Sequence, residues 1–260
     1  MSGEDGKIRL AVFKFSSCSG CQQQIIDLGE DLLSLTDKIE IAYFLEASSK
    51  TSPGPYDVAL IEGSVSTPHE AEFVKKIRED SKIVVSVGSC AVYGGIQALR
   101  NWLSFEEVKK TVYQNPDWIK ALEKSKPVSD YVQIDYAVSG CPANKLQLLS
   151  VLKQIVIGRR AYHRQESLCQ ECKRKGNVCI MVAKGVSCLG PIMKEGCGAL
   201  CPSYSRGCYG CFGPMTDPKP EALAKRFEEL GIPKDEAILK FRSITGWSDP
   251  IRRFLEKYEQ

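Results

Sequence analysis

The sequence predicts an α/β chain in which a doubly wound parallel sheet is followed by an irregular, cysteine-rich region and closing helices. Three observations lead there. Short apolar runs rich in β-branched residues recur through the first 160 residues, amphipathic segments separate them, and beyond Gly158 the regular pattern stops.

The strand-like runs are Ile8–Phe13, Ile39–Leu45, Val58–Glu62, Ile83–Val87 and Val132–Val138. Their near-continuous hydrophobicity suits strands covered on both faces, as in a parallel sheet. Between the first two, Gln22–Leu35 sets Ile25, Ile26, Leu28, Leu32, Leu33 and Leu35 largely on one helical face. Ser66–Asp80 opens with Ser and Thr beside a Pro and carries acids early and bases late, the pattern of a capped helix. Phe105–Tyr113 and Asn144–Ile157 are two further helices. Strands alternating with helices imply a flavodoxin-like domain over residues 1–160.

Residues 161–260 form the second expected domain. Within it, 169–216 hold eight of the twelve cysteines among many Gly and Pro residues. Such a segment buries little apolar side chain, so metal coordination is the natural source of its order. Helical patterning returns at Glu221–Leu230, Lys234–Arg242 and Asp249–Tyr258.

Composition narrows the function. The formal charge is +3, with Lys and Arg scattered, and no basic block points to nucleic acid. The opening MSGEDGKIRL has no apolar core of an export signal, and no apolar run is long enough to span a bilayer. A soluble cytoplasmic protein without membrane contact is expected. In a reducing compartment, twelve cysteines in 260 residues read as metal ligands rather than as a disulfide framework. Twelve is also the number of thiolates that three [4Fe–4S] clusters would use.

Four thiols follow strands. Cys18 and Cys21 form Cys-x-x-Cys after the first, Cys90 follows the fourth in VGSCAVYGG, and Cys141 follows the fifth in VSGCPAN. In an open parallel sheet the carboxyl ends of the strands gather where ligands bind, so these four can converge. Ser17, Gly20, Gly88 and Gly140 beside them let backbone approach a bulky cluster, with N–H groups aimed at its sulfides. A thioredoxin-like pair would leave Cys90 and Cys141 unexplained. The remaining eight, Cys169, Cys172, Cys179, Cys188, Cys197, Cys201, Cys208 and Cys211, fit two more clusters. The simplest partition takes the first four and the last four; spacing alone leaves interleaving and tetrahedral zinc open.

These motifs resemble the small, electron-transferring subunit of [NiFe]-hydrogenases. The resemblance rests on SCSGCQ, EGSV at 62–65, VGSCAVYGG at 87–95, GCP at 140–142, the SCLGP around Cys188 and the final CYGC. By pattern the chain is similar to small subunits of cytoplasmic, multimeric hydrogenases, including the sulfhydrogenase type (its delta subunit) that exchanges electrons with NAD(P). Its first domain also resembles the 20-kDa-type subunit of complex I.

The resemblance implies that Cys18, Cys21, Cys90 and Cys141 hold a proximal cluster, Cys197, Cys201, Cys208 and Cys211 a medial one, and Cys169, Cys172, Cys179 and Cys188 a distal one. It implies a [NiFe] large subunit as partner, which alone holds the nickel, with a flavin/NAD(P)-binding subunit and a further iron–sulfur subunit beyond. The chain would then be a hydrogenase subunit without the catalytic site. A complex I-like or heterodisulfide-reductase-linked subunit with a nickel-free large partner is the alternative.

Three departures stand out. Cys169 stands where respiratory members use His, Cys201 where they carry Pro and hold a three-iron cluster, and Gln22 where they carry Glu. Gln cannot exchange a proton, which leaves Glu62 as the acidic candidate for a proton path, against a plain reading as a hydrogen-bonded neighbour of a helix N-cap. His69 and His163 lie outside the cysteine motifs and read as surface residues.

Overall fold

A computed structural model describes residues 6–161 and 166–259, which leaves His163 outside. The chain divides into two compact units, residues 1–162 and 163–260.

The first unit is built on β1 (Ile8–Lys14), α1 (Gly20–Ile26), α2 (Glu30–Leu33), β2 (Ile39–Phe44), β3 (Tyr56–Glu62), α3 (Pro68–Glu79), β4 (Ser81–Val87), α4 (Gly88–Tyr93), α5 (Phe105–Val112), β5 (Tyr136–Val138) and α6 (Lys145–Val156). All strand pairs are parallel, in the order β2-β1-β3-β4-β5, the flavodoxin-like arrangement. Both sheet faces are covered, which explains the unbroken apolar runs. Leu10, Val12, Leu60 and Val85 pack with Ile25 near α1 and with Leu148 and Leu152 of α6. Ala11, Phe13, Ile61 and Val84 pack on the other face with Val74 and Ile77 of α3.

Two elements differ from expectation. The helix expected over Gln22–Leu35 is two, α1 and α2, because Gly29 between them takes φ +54° and turns the chain. The fifth strand, expected from Val132, begins only at Tyr136. Ahead of it the Asp135 carboxylate accepts the Val84 N–H at 2.8 Å, so a side chain replaces a ladder bond. The helix begun by Ser66–Thr67 is capped as its residues suggest. Thr67 Oγ1 accepts the Glu70 N–H, and the Glu70 carboxylate accepts the Thr67 N–H at 2.9 Å.

The second unit comprises α7 (Leu168–Arg174), α8 (Ile180–Lys184), α9 (Leu200–Ser203), α10 (Pro220–Glu229), α11 (Lys234–Phe241) and α12 (Asp249–Tyr258). Its last three helices close on an aromatic core, with Phe241 4.9 Å from Phe254 and 5.6 Å from Phe227 between ring centres. The cysteine-bearing segments consist of short helices and turns around Leu168, Ile180, Leu189 and Met193. Among the described residues no helix is long and apolar enough to cross a membrane.

Leu60 lies fully buried in the central strand β3. Leu60→Ala is expected to cost about 2–5 kcal/mol, and Thr67→Ala about 1 kcal/mol through the lost cap. Urea unfolding followed by circular dichroism measures both.

Candidate metal centres

The carboxyl ends of β1, β4 and β5 deliver the first four thiols. Cys18 sits in the loop after β1, Cys21 in the first turn of α1, Cys90 in α4 directly after β4, and Cys141 in the turn after β5. Their sulfurs feel one another's charge: Cys90 and Cys141 act on Cys21, and Cys18 acts on both Cys90 and Cys141. The loops are cross-tied, because Ser89 N–H donates to the Gly140 carbonyl at 2.8 Å and Gly140 N–H donates to Ser89 Oγ at 3.1 Å.

Glycine makes room for these sulfurs. A Cβ on Gly88, at φ +84°, would lie 2.4 Å from Cys21 Sγ. A Cβ on Gly95, at φ +60°, would lie 2.5 Å from Cys90 Sγ. Backbone donors point inward as well. Ala143 N–H donates to Cys21 Sγ at 3.4 Å, and the Ile96 amide faces Cys90. Gly88 stands out in the sequence beside a cysteine, whereas Gly95 lies five residues from Cys90 and its steric role emerges only when the chain folds back.

Glu62 ends β3 at 2% exposure. Its carboxylate accepts from Ser17 Oγ at 2.5 Å and from Gln22 Nε2 at 3.2 Å. Burial raises its pKa, and the two hydrogen bonds pull against that rise. Helix capping nearby belongs to Thr67 and Glu70 instead. His69 stacks on Phe73, with 5.9 Å between ring centres.

In the second unit, Cys169, Cys172, Cys179 and Cys188 line a cavity of about 120 Å³ whose remaining wall is largely apolar, with Leu168, Ile180 and Met181. Gly190 admits the sulfurs here: a Cβ would come within 3.3 Å of Cys188 Sγ and 3.6 Å of Cys169 Sγ. Asn177 Nδ2 donates to Cys172 Sγ at 3.7 Å and to Ser203 Oγ at 3.0 Å.

Among the last four thiols, Cys197 lies beside Cys201, and Cys208 feels Cys188 of the preceding set as well as Cys211 and Cys197. Ala199 and Leu200 amides face Cys197, and Gly210 N–H donates to Cys208 Sγ at 3.3 Å. The two groups touch through one peptide, since Cys208 N–H donates to Cys188 Sγ at 3.2 Å. Glu171 joins them too, its carboxylate accepting Gly196 N–H at 3.2 Å and Ala199 N–H at 3.0 Å. Neither Asn177 nor Glu171 stands out in the sequence, since each role depends on a loop far along the chain.

All twelve cysteines are free thiols. Burial pushes the Cys21 and Cys90 thiols up to about 12 and Cys169 up to about 11, and it raises Cys141, Cys188, Cys197 and Cys208 as well. Such thiols do not ionise at neutral pH unless a metal takes up the charge. The donor chemistry suits iron–sulfur clusters: four sulfurs per group, glycines where a Cβ would block them, and N–H groups aimed at sulfur. Among the described residues no three His, Cys, Asp or Glu side chains converge on a point that would hold a single ion. Sulfurs ringing a cavity suit a polynuclear cluster better than tetrahedral zinc, whose ligands all lie about 2.3 Å from one atom.

Comparison with known proteins agrees with this chemistry. Residues 18–155 match the family model described as NADH ubiquinone oxidoreductase, 20 Kd subunit. The chain is 35% identical over 240 residues to sulfhydrogenase 2 subunit delta of Pyrococcus furiosus, covering 92% of this chain and 100% of that one. It is 30% identical to the NAD-reducing hydrogenase HoxS subunit delta of Cupriavidus necator, covering 61% of this chain and 83% of the relative. A subunit in the crystal structure of an NAD⁺-reducing [NiFe]-hydrogenase in the H₂-reduced state superposes with a TM-score of 0.56 at 27% identity, over 61% of this chain and 96% of that one.

The raised thiols carry a pH dependence. Folding holds their protons above the ordinary value of 9.0, so the contribution is fully present below that pH and is lost as pH rises towards about 12. The iron-free chain should therefore lose ellipticity over that window, and iron loading should abolish the transition.

Proposed function

Because the chain belongs to the family of the NADH ubiquinone oxidoreductase 20 Kd subunit, which its likeness to hydrogenase delta subunits extends beyond residue 155, we propose that it is the electron-transfer subunit of a cytoplasmic [NiFe]-hydrogenase. The observation that carries the reading is the closeness of free thiols from distant parts of the chain: Cys18, Cys21, Cys90 and Cys141 act on one another, and Cys169, Cys172, Cys179 and Cys188 line one cavity. Cys18, Cys21, Cys90 and Cys141 would hold the proximal [4Fe–4S] cluster, Cys197, Cys201, Cys208 and Cys211 the medial one, and Cys169, Cys172, Cys179 and Cys188 the distal one. Bound there, the clusters supply one-electron carriers between a nickel–iron site in a large subunit and a flavin/iron–sulfur, NAD(P)-linked partner.

The chain's own residues set the conditions for that transfer. Thiolates buried among apolar side chains favour low potentials, while amides at Cys21, Cys188 and Cys208 and the Asn177 side chain offset the charge on sulfur and raise them. Glu62, hydrogen-bonded to Ser17 and Gln22, the chain neighbours of Cys18 and Cys21, is the carboxyl in the first site whose hold on a proton burial strengthens. A second reading follows from the family match covering the first unit alone: a complex I-like subunit whose large partner lacks nickel. Nickel analysis of the anaerobically purified assembly separates the two.

Two outcomes test the proposal. Cys141→Ser should abolish hydrogen-linked reduction of the acceptor while hydrogen–deuterium exchange at the large subunit continues; unchanged reduction would refute the assignment. With Cys201 as a fourth thiolate, electron paramagnetic resonance of the native protein should show no high-potential [3Fe–4S] signal, and Cys201→Pro should create one.

A further inference from the structure

The segment that carries Cys179 and Val182 into the Cys169–Cys188 cavity has an unusual surface. Residues 173–186 contain four bases, Lys173, Arg174, Lys175 and Lys184, and no acid, in a chain whose total charge is only +3. The two neighbouring carboxylates are turned inward. Glu171 accepts from Gly196 and Ala199 N–H groups, and buried Glu195 pairs with Arg174. Lys173, Lys175 and Lys184 are exposed and have no ion-pair partner among the described residues.

Large apolar side chains stand exposed among these lysines. Val178 is 71% exposed, Val182 is 78% exposed, and Cys179 between them is exposed while lining the cavity. The Asn177–Ser203 hydrogen bond ties this segment to α9, whose flanking Leu200 and Tyr204 are exposed too. Exposed apolar residues on a segment whose exposed charges are all of one sign suit a protein contact, in which charge steers the encounter and the apolar side chains hold it.

We infer that residues 173–186 are a docking surface for an acidic electron-carrier protein, which exchanges electrons with the cluster held by Cys169, Cys172, Cys179 and Cys188. The partner's face carries Asp and Glu around an apolar spot, with its redox centre close beneath. One electron leaves the reduced cluster and enters the oxidised carrier, or the reverse, with no bond made or broken. The inference rests on the electron-transfer reading above and adds the chemistry of the partner and the face it uses.

The test uses the full chain, purified without oxygen and reduced. Its oxidation is followed by stopped flow with three probes: an acidic bacterial ferredoxin, a basic cytochrome c, and methyl viologen. Oxidation by ferredoxin should slow at least about tenfold between about 20 mM and 500 mM salt. Lys175→Glu/Lys184→Glu should slow it about tenfold at low salt, speed the reaction with cytochrome c, and leave methyl viologen within about twofold of the parent. Val178→Asp should slow ferredoxin alone. If viologen exchange is intact while ferredoxin exchange ignores both salt and charge reversal, this surface is not the docking face and the inference fails by itself. It fails in the same way if the chain binds phosphatidylglycerol vesicles or duplex DNA through these lysines and ferredoxin does not compete. A chain without iron that exchanges no electrons with viologen overturns the electron-transfer reading and this inference together.

Discussion

Thiols withdrawn from water beside one another, as Cys21 and Cys90 are, cannot ionise without something to take up their charge. The constraint is electrostatic before it is geometric: removing a thiolate from water beside other thiolates raises its proton affinity steeply, as at Cys21 and Cys90. Either the protons stay on, leaving weakly polar sulfurs in the interior, or a cation takes their place. The surroundings favour the cation. Amides at Cys21, Cys188, Cys197 and Cys208 point at sulfur, a direction that helps a thiolate far more than a thiol.

The two units meet this constraint by different means. In the first, a parallel sheet does the gathering, since its topology brings the ends of β1, β4 and β5 to one edge whatever the loops contain. The sheet's core stands on its own apolar packing, and the thiols are additions to a fold that already has reasons to form. The second unit has its aromatic core only in its last three helices. Ahead of them, short helices and turns are held by isolated hydrogen bonds, among them those of Glu171 and Asn177.

Much of this was legible in the sequence. Unbroken apolar strands point to the two-sided sheet, and Cys18, Cys21, Cys90 and Cys141 sit at the ends of β1, β4 and β5 as the sequence places them. What sequence could not convey was anything that depends on one residue meeting a distant one. Gly29 interrupts a convincing amphipathic stretch because a single left-handed residue outweighs the periodicity around it. Asp135 takes over a backbone partner at the sheet edge, which no propensity anticipates. Gly95 announces nothing until its missing Cβ is set against Cys90 Sγ. Glu171, lodged inside a Cys-x-x-Cys, looks like an ordinary polar spacer and is in fact a clasp on a loop some 25 residues away.

The peptide between Gly207 and Cys208 has a double allegiance. Its N–H serves the sulfur of Cys188, while the sulfur of Cys208 itself is served by the Gly210 N–H. A Cβ on Gly207 would sit 1.9 Å from the Ser187 carbonyl, so the two strands of chain have no slack between them. A displacement that loosens Cys188 therefore strains the backbone at Cys208, and the two sulfurs move together or not at all.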